Sequence, residues 1–265
     1  MRGRCVSALV MVCLSAAVVP SEASNVVVWG ERFDLTRINH FYNTVAGTTS
    51  TIANGTLDTV NLSGVELLWA VQPADAYTAA ELAAMAGFLS GGGRIAFMGE
   101  HGGFAPDEND RISAALSFLG ANISIVNEAP DAGSRTASVL DGQIKPHELT
   151  QGVNTYYYAC FAPLLVSGTA QILMTGEEHP DQVMMAYQNI GPGSVFLITD
   201  QNVWDDEPGN WGNGLYDNRR MFENLLLADT GAPPPPPPTD QVPEPSAVLL
   251  LAAGLMGMAT LRRRL

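Results

Sequence analysis

Between residues 24 and 231 the apolar positions fall into two kinds of run. Near-continuous apolar blocks at residues 25–29 (NVVVW), 67–71 (LLWAV) and 94–98 (RIAFM), the first ended by Gly30 and the third by Gly99, predict strands buried on both faces. The segments between them have helical spacing. Residues 38–45 read as a short helix. A clearer one begins at Thr78, where Thr78 and Glu81 make a capping box. Leu82, Met85, Phe88 and Leu89 then share one face, and Gly91-Gly92-Gly93 ends the helix. Asp107 can N-cap the next, in which Ile112, Ala115, Leu116 and Leu119 recur at helical spacing before Gly120.

Residues 122–126 (NISIV) alternate as a strand, and residues 129–163 carry no clear period. Further strands are expected at residues 171–174, 183–187 and 195–199. A last helix, capped by Asp217, carries Met221, Phe222, Leu225 and Leu226. Strands followed by crossover helices imply a mostly parallel sheet with helices on both faces. The expected fold class is therefore α/β, a single flavodoxin-like three-layer sandwich spanning residues 24–231.

The two ends read differently. Residues 1–23 have the form of a secretory signal peptide: Arg2 and Arg4, an apolar stretch over residues 6–19, then small residues at Ser21 and Ala23, with cleavage expected after Ala23. Cys5 and Cys13 would leave with it, so the exported chain would keep only Cys160 and could form no internal disulfide. Residues 232–241 form a proline-rich linker. The proline run at 233–238 would extend roughly 19 Å as polyproline II at about 3.1 Å per residue.

Beyond it stand Val242, Pro243, Glu244, Pro245 and Ser246, an apolar stretch to residue 261, and Arg262, Arg263 and Arg264. As a helix, residues 246–261 would span only about 24 Å, short against a hydrocarbon core of ~30 Å. The arginines would keep its end cytoplasmic and place everything upstream outside. This order of parts, over residues 242–265, resembles the PEP-CTERM sorting signal of exopolysaccharide-producing Gram-negative bacteria. The resemblance implies the secretion machinery and an exosortase as partners, and a membrane-held intermediate in the inner membrane. It also implies a final place at the cell surface or in the extracellular matrix.

Charge narrows the partners. The net charge is −14, and five of the thirteen basic residues are Arg2, Arg4, Arg262, Arg263 and Arg264. The body is thus more acidic than the whole, and a nucleic-acid partner, which needs clustered Lys and Arg, is excluded.

Ligands of open parallel sheets sit at the carboxyl ends of the strands. Three such ends carry polar residues: Glu31; Glu100 and His101 in Gly99-Glu100-His101-Gly102-Gly103; and Asp200-Gln201-Asn202 with Asp205 and Asp206 beyond. Four segments carry a resemblance to the class I glutamine amidotransferase-like superfamily: GGGRIAFMGEHGG at 91–103, DENDRISAALSFLG at 107–120, HELTQGV at 147–153 and GSVFLITDQN at 193–202. In enzymes of that superfamily a cysteine nucleophile occupies a Gly-x-Cys-x-Gly elbow. The matching stretch here has none, and His147-Glu148 are adjacent rather than spaced as His-x-Glu. What carries over is the fold and not the chemistry.

Other chemistry is sparse. Cys160 lies in the aromatic run at 156–161 and reads as a core cysteine, the alternative being a Cys–His pair with His147 or His101, whose members need only meet in space. Gly91-Gly92-Gly93 precedes a strand, whereas phosphate loops follow one. Asp107, Asp110, Asp205 and Asp206 could supply oxygen ligands, and calcium is the ion such a set would take; no other cofactor is indicated. Trp204, Trp211, Tyr216 and Asn202 in the Gly/Asn-rich loop could dock a sugar ring, the alternative being that the aromatics pin the loop. The expected role is a non-catalytic surface or matrix protein that binds polysaccharide. The rival is a metal-assisted hydrolase using Glu100, His101 and Asp200.

Overall fold

The computed structural model describes residues 24–131, 133–204 and 215–228. Residues 1–23, expected to be a signal peptide, the proline-rich stretch at 232–241 and the C-terminal segment at 242–265 lie outside the described residues. So do Asp205, Asp206 and Trp211.

The chain opens with β1 (Ser24–Gly30), α1 (Leu35–Thr44), the edge strand β2 (Thr48–Ile52) and β3 (Leu67–Val71). There follow α2 (Ala79–Ser90), β4 (Arg94–Met98), α3 (Pro106–Phe118) and the short β5 (Ile123–Ile125). The part that the sequence left without a period holds β6 (Arg135–Ser138) and β7 (Thr155–Tyr158), which pair as a separate antiparallel ribbon. The chain then continues through β8 (Leu164–Val166), β9 (Gln171–Thr175), β10 (Val183–Ile190), β11 (Gly193–Ile198) and α4 (Asn218–Leu227).

The main sheet has nine strands in the order β2-β1-β3-β4-β11-β10-β8-β5, with β9 also paired to β10. The first five run parallel; the pairs made by β10 and β5 are antiparallel, so only those two strands oppose the rest. Strand alternation divides the core. Val26, Val28, Trp69 and Phe196 face α1 and α4, packing on Phe41, Tyr42 and Phe222. Val27, Leu68, Phe97 and Leu197 face α2 and α3, packing on Met85, Phe88, Ile112 and Leu116. A sheet with a helical layer on each face is the expected three-layer sandwich. Among the described residues no helix is long and apolar enough to cross a membrane.

The capping box of α2 forms as expected, Thr78 Oγ1 accepting from the Glu81 amide and Glu81 accepting from the Thr78 amide. One expected cap is corrected. Pro106 takes the first position of α3 and Ala105 the cap, which puts Asp107 inside the first turn, where its charge meets the helix dipole instead. Asp217 is the N-cap residue of α4 as expected, though its side chain bonds elsewhere: Oδ2 accepts from the amides of Asn154 (2.8 Å) and Thr155 (3.1 Å), tying α4 to the start of β7.

Candidate functional site

Register brings the two candidate carboxylates together. β4 and β11 are parallel neighbours with Met98 opposite Ile198, so Glu100 and Asp200 each stand two residues past the same level of the sheet. Both are fully buried. Asn109 of α3 clamps the first elbow: its Oδ1 accepts from the Glu100 amide at 3.0 Å, and its Nδ2 donates to the Glu100 carbonyl at 2.6 Å. The elbow also runs against the strand-β5 side, where a Cβ on Gly102 would come 2.1 Å from the Asn127 carbonyl carbon; only glycine fits.

Each carboxylate is committed to backbone. Glu100 Oε1 accepts from the His101 amide at 2.9 Å and Oε2 from the Gln201 amide at 3.0 Å. Asp200 Oδ1 accepts from the Asn202 amide at 2.8 Å and Oδ2 from the Ala159 amide at 2.9 Å. Thr199 holds the same segment one step further on, donating to the Ala162 carbonyl at 2.6 Å and accepting from its amide at 3.2 Å. These bonds draw Cys160 to the strand ends. Ligand atoms of Glu100, His101 and Cys160 lie within 4.8 Å of one another, so of the two histidines the sequence offered as partners for Cys160 it is His101 that comes near.

The electrostatics disfavour a thiolate. Burial, then the charges of Asp200 and Glu100, push the Cys160 thiol up to about 12. Burial holds His101 below the usual imidazole range, so the ring is neutral at pH 7. Beside the elbow, Gln72 at the end of β3 has φ of 36°, the one described non-glycine residue in the left-handed region, and its Nε2 donates to Gln201 Oε1 at 2.8 Å. Gln72 did not stand out in sequence, since nothing in the residue type marks a left-handed backbone there.

The remaining candidates scatter. Trp204 does not face solvent: it is fully buried, stacked on Phe222 at 4.1 Å and edge-on to Trp69 at 5.5 Å. An indole closed in on these sides offers no face to a sugar ring, and it pins the loop instead. Tyr216 is half-buried and rests on Tyr157 with ring centres 5.4 Å apart, while the Tyr157 hydroxyl donates to Ser134 at 2.7 Å. Asn202 sits in a short 3-10 turn (Gln201–Trp204). Asp107 is exposed, 4.0 Å from Arg111, and Asp110 accepts from Asn127 at 2.8 Å. Neither shares in a cluster of three ligand atoms among the described residues. Glu31 accepts from the Ala74 amide at 2.5 Å.

Comparison with known proteins bears on the chain's destination first. Residues 241–264 match the PEP-CTERM protein-sorting motif. The PEP-CTERM motif marks the chain as an exosortase substrate, exported and held at the membrane before surface display. No curated protein matches the chain.

Solved structures resemble the body. The mmIFT52 N-terminal domain has a TM-score of 0.59 at 18% identity, covering 77% of this chain and 98% of that one. Cytoplasmic protein STM3548 from Salmonella typhimurium has 0.52 at 9%, covering 77% and 97%. The exo-beta-1,4-mannosidase Op5Man5 from Opitutaceae bacterium strain TAV5 has 0.50 at 14%, covering 78% of this chain but 36% of that one. At these identities the likeness is one of fold, and it does not single out the amidotransferase-like superfamily.

Proposed function

We propose that this exosortase-sorted protein is a non-catalytic binding component of the cell surface, its α/β body holding exopolysaccharide at loops near the carboxyl ends of the strands. The carrying observation is the state of the groups at those ends. Glu100 and Asp200 each accept backbone hydrogen bonds on both oxygens, and the thiol beside them keeps its proton. Carboxylates used as loop braces and a protonated thiol supply neither base nor nucleophile. With Trp204 in the core, an aromatic surface that the candidate loop still offers a sugar ring, among the described residues, is Tyr216 with Tyr157, next to exposed Leu215.

Affinity electrophoresis of the protein through gels carrying extracted exopolysaccharide tests this. Wild-type protein is retarded; Tyr216→Ala and Tyr157→Ala run free while their melting temperatures stay close to wild type. Equal retardation of all three would refute binding at this pair. The rival reading, a metal-assisted hydrolase on Glu100, His101 and Asp200, draws on the convergence of Glu100, His101 and Cys160. It requires a turnover that His101→Ala abolishes, and inertness toward ester, amide, phosphate and glycoside substrates rejects it.

A further inference from the structure

A second cluster lies away from the strand ends, where the loop that follows β5 meets the turn between β9 and β10. Asp131 is fully buried there. Its Oδ2 accepts from the Tyr158 hydroxyl and, at 3.1 Å, from the Glu177 amide. That amide also donates to the Tyr158 oxygen at 2.6 Å, so the carboxylate is fixed from two sides. Gly176 makes the space, since a Cβ on it would stand 2.8 Å from Asp131 Oδ2.

The other oxygen, Oδ1, is buried and has no hydrogen-bond partner among the described residues. A carboxylate oxygen without a donor is a costly thing to bury, and such a group calls for a proton or a cation. What faces it is His179, whose Nε2 lies 3.9 Å away. Ligand atoms of Asp131, Glu178 and His179 all fall within 4.8 Å of one another. A separation of 3.9 Å is too long for a hydrogen bond. It does suit two donors on one ion, which at bond lengths of about 2.0–2.2 Å stand roughly 3–4 Å apart.

We propose that Asp131, Glu178 and His179 form a divalent-cation site of the zinc class. An imidazole among the donors argues for zinc over calcium or magnesium, which take oxygen ligands. The surroundings are built for it: Tyr158 and the Glu177 amide orient the Asp131 carboxylate, and Arg135 Nη2 holds Glu178 Oε1 at 2.6 Å. His179 and Glu178 are 42% and 51% exposed at the side chain, which leaves the ion a path from solvent and lets both be replaced without disturbing the core.

The test is to strip the full chain with chelator and titrate it with Zn2+ alone, following bound metal by equilibrium dialysis and folding by thermal melts. A saturable site and a rise in melting temperature are expected. His179→Ala and Glu178→Gln weaken binding by at least about tenfold, the size of loss that disturbing a metal's supporting shell produces, with unchanged melting of the metal-free protein. His101→Ala and Cys160→Ser retain wild-type affinity, and Co2+ in the site shows ligand-field bands with no thiolate charge transfer. The proposal is overturned by absence of saturable binding, by wild-type affinity in His179→Ala and Glu178→Gln, by loss of the site in Cys160→Ser, or by equally tight binding of Ca2+.

Discussion

Replacing Trp204 with alanine separates a core role from a ligand-facing one. The indole is fully buried, stacked on Phe222 at 4.1 Å and in edge contact with Phe41 at 5.4 Å and Trp69 at 5.5 Å. Truncating a buried aromatic to alanine costs roughly 3–5 kcal/mol, through lost transfer energy and the cavity left behind. That is a large share of the 5–15 kcal/mol that holds a typical domain together. For a domain of 150–250 residues each kcal/mol moves the melting temperature by about 2–4 °C, so Trp204→Ala should melt roughly 6–20 °C below wild type. Trp204→Phe keeps a ring against Phe222 and should recover a good part of that loss. Circular-dichroism melts of the three proteins at one concentration and pH make the measurement. If Trp204→Ala melts within about 2 °C of wild type yet loses retardation by exopolysaccharide, the indole faces ligand and the core assignment is wrong.

Three further outcomes follow from particular contacts. Gly102→Ala should destabilise the domain by about 1–3 kcal/mol or more in urea unfolding, because its Cβ would collide with the backbone of Asn127 and Glu128, which has no rotamer to yield; a neutral effect would mean that the elbow is not held there. Alkylation of Cys160 at pH 8, taken as the difference between wild type and Cys160→Ser, should run about a thousandfold slower than that of an unperturbed thiol, since a thiol raised from 9.0 to about 12 holds that much less thiolate; labelling at the ordinary rate would restore it as a nucleophile. Stability should be full above about pH 6.5 and fall below it. Burial, opposed by Glu148 and helped by Arg94, lowers the His147 imidazole in the folded state, and burial lowers His101. The unfolded chain then takes up protons first as pH drops. His147 Nδ1 also accepts from the Leu149 amide at 3.0 Å, a bond that protonation removes. His147→Gln should flatten the fall in melting temperature between about pH 6.5 and 5; an unchanged profile would assign the acid sensitivity elsewhere.

What sequence reading captured was the part in which each element buries itself. β3, β4 and the capping box of α2 stand where the apolar blocks and the Thr78–Glu81 pair put them, because a strand covered on both faces must be apolar throughout. β2 escaped notice because it is an edge strand of Thr and Ser with a single apolar residue, Ile52, at its end and one buried residue, Ser50, too little for an apolar pattern. β6 and β7 escaped because their ribbon packs through single residues such as Ala137, Tyr156 and Tyr158, between half-buried positions.

The site was legible only in part. Glu100, His101 and Asp200 were readable as strand-end residues, since the strands themselves were readable. Trp204 stood in sequence as either a sugar-docking ring or a loop pin, because it opens a Gly/Asn-rich loop, and its neighbours in space, Phe41, Trp69 and Phe222, decide for the pin. Cys160 looked like core because its flanking residues are aromatic, and it reaches Glu100 through bonds that Thr199 and Asp200 make to residues forty positions away.

By itself the sequence determined the destination and the layers. A sorting motif is read as a linear segment, and binary patterning reports burial element by element, so neither needs the tertiary structure. The tertiary structure alone decided which polar groups meet. Asp131, Tyr158, Gly176 and His179 come together across 48 residues because two loops cross at the sheet edge, and the strand ends meet because β4 and β11 pair in register. Hydrophobic periodicity carries no record of either convergence, since it encodes how much of each residue is covered and not by what.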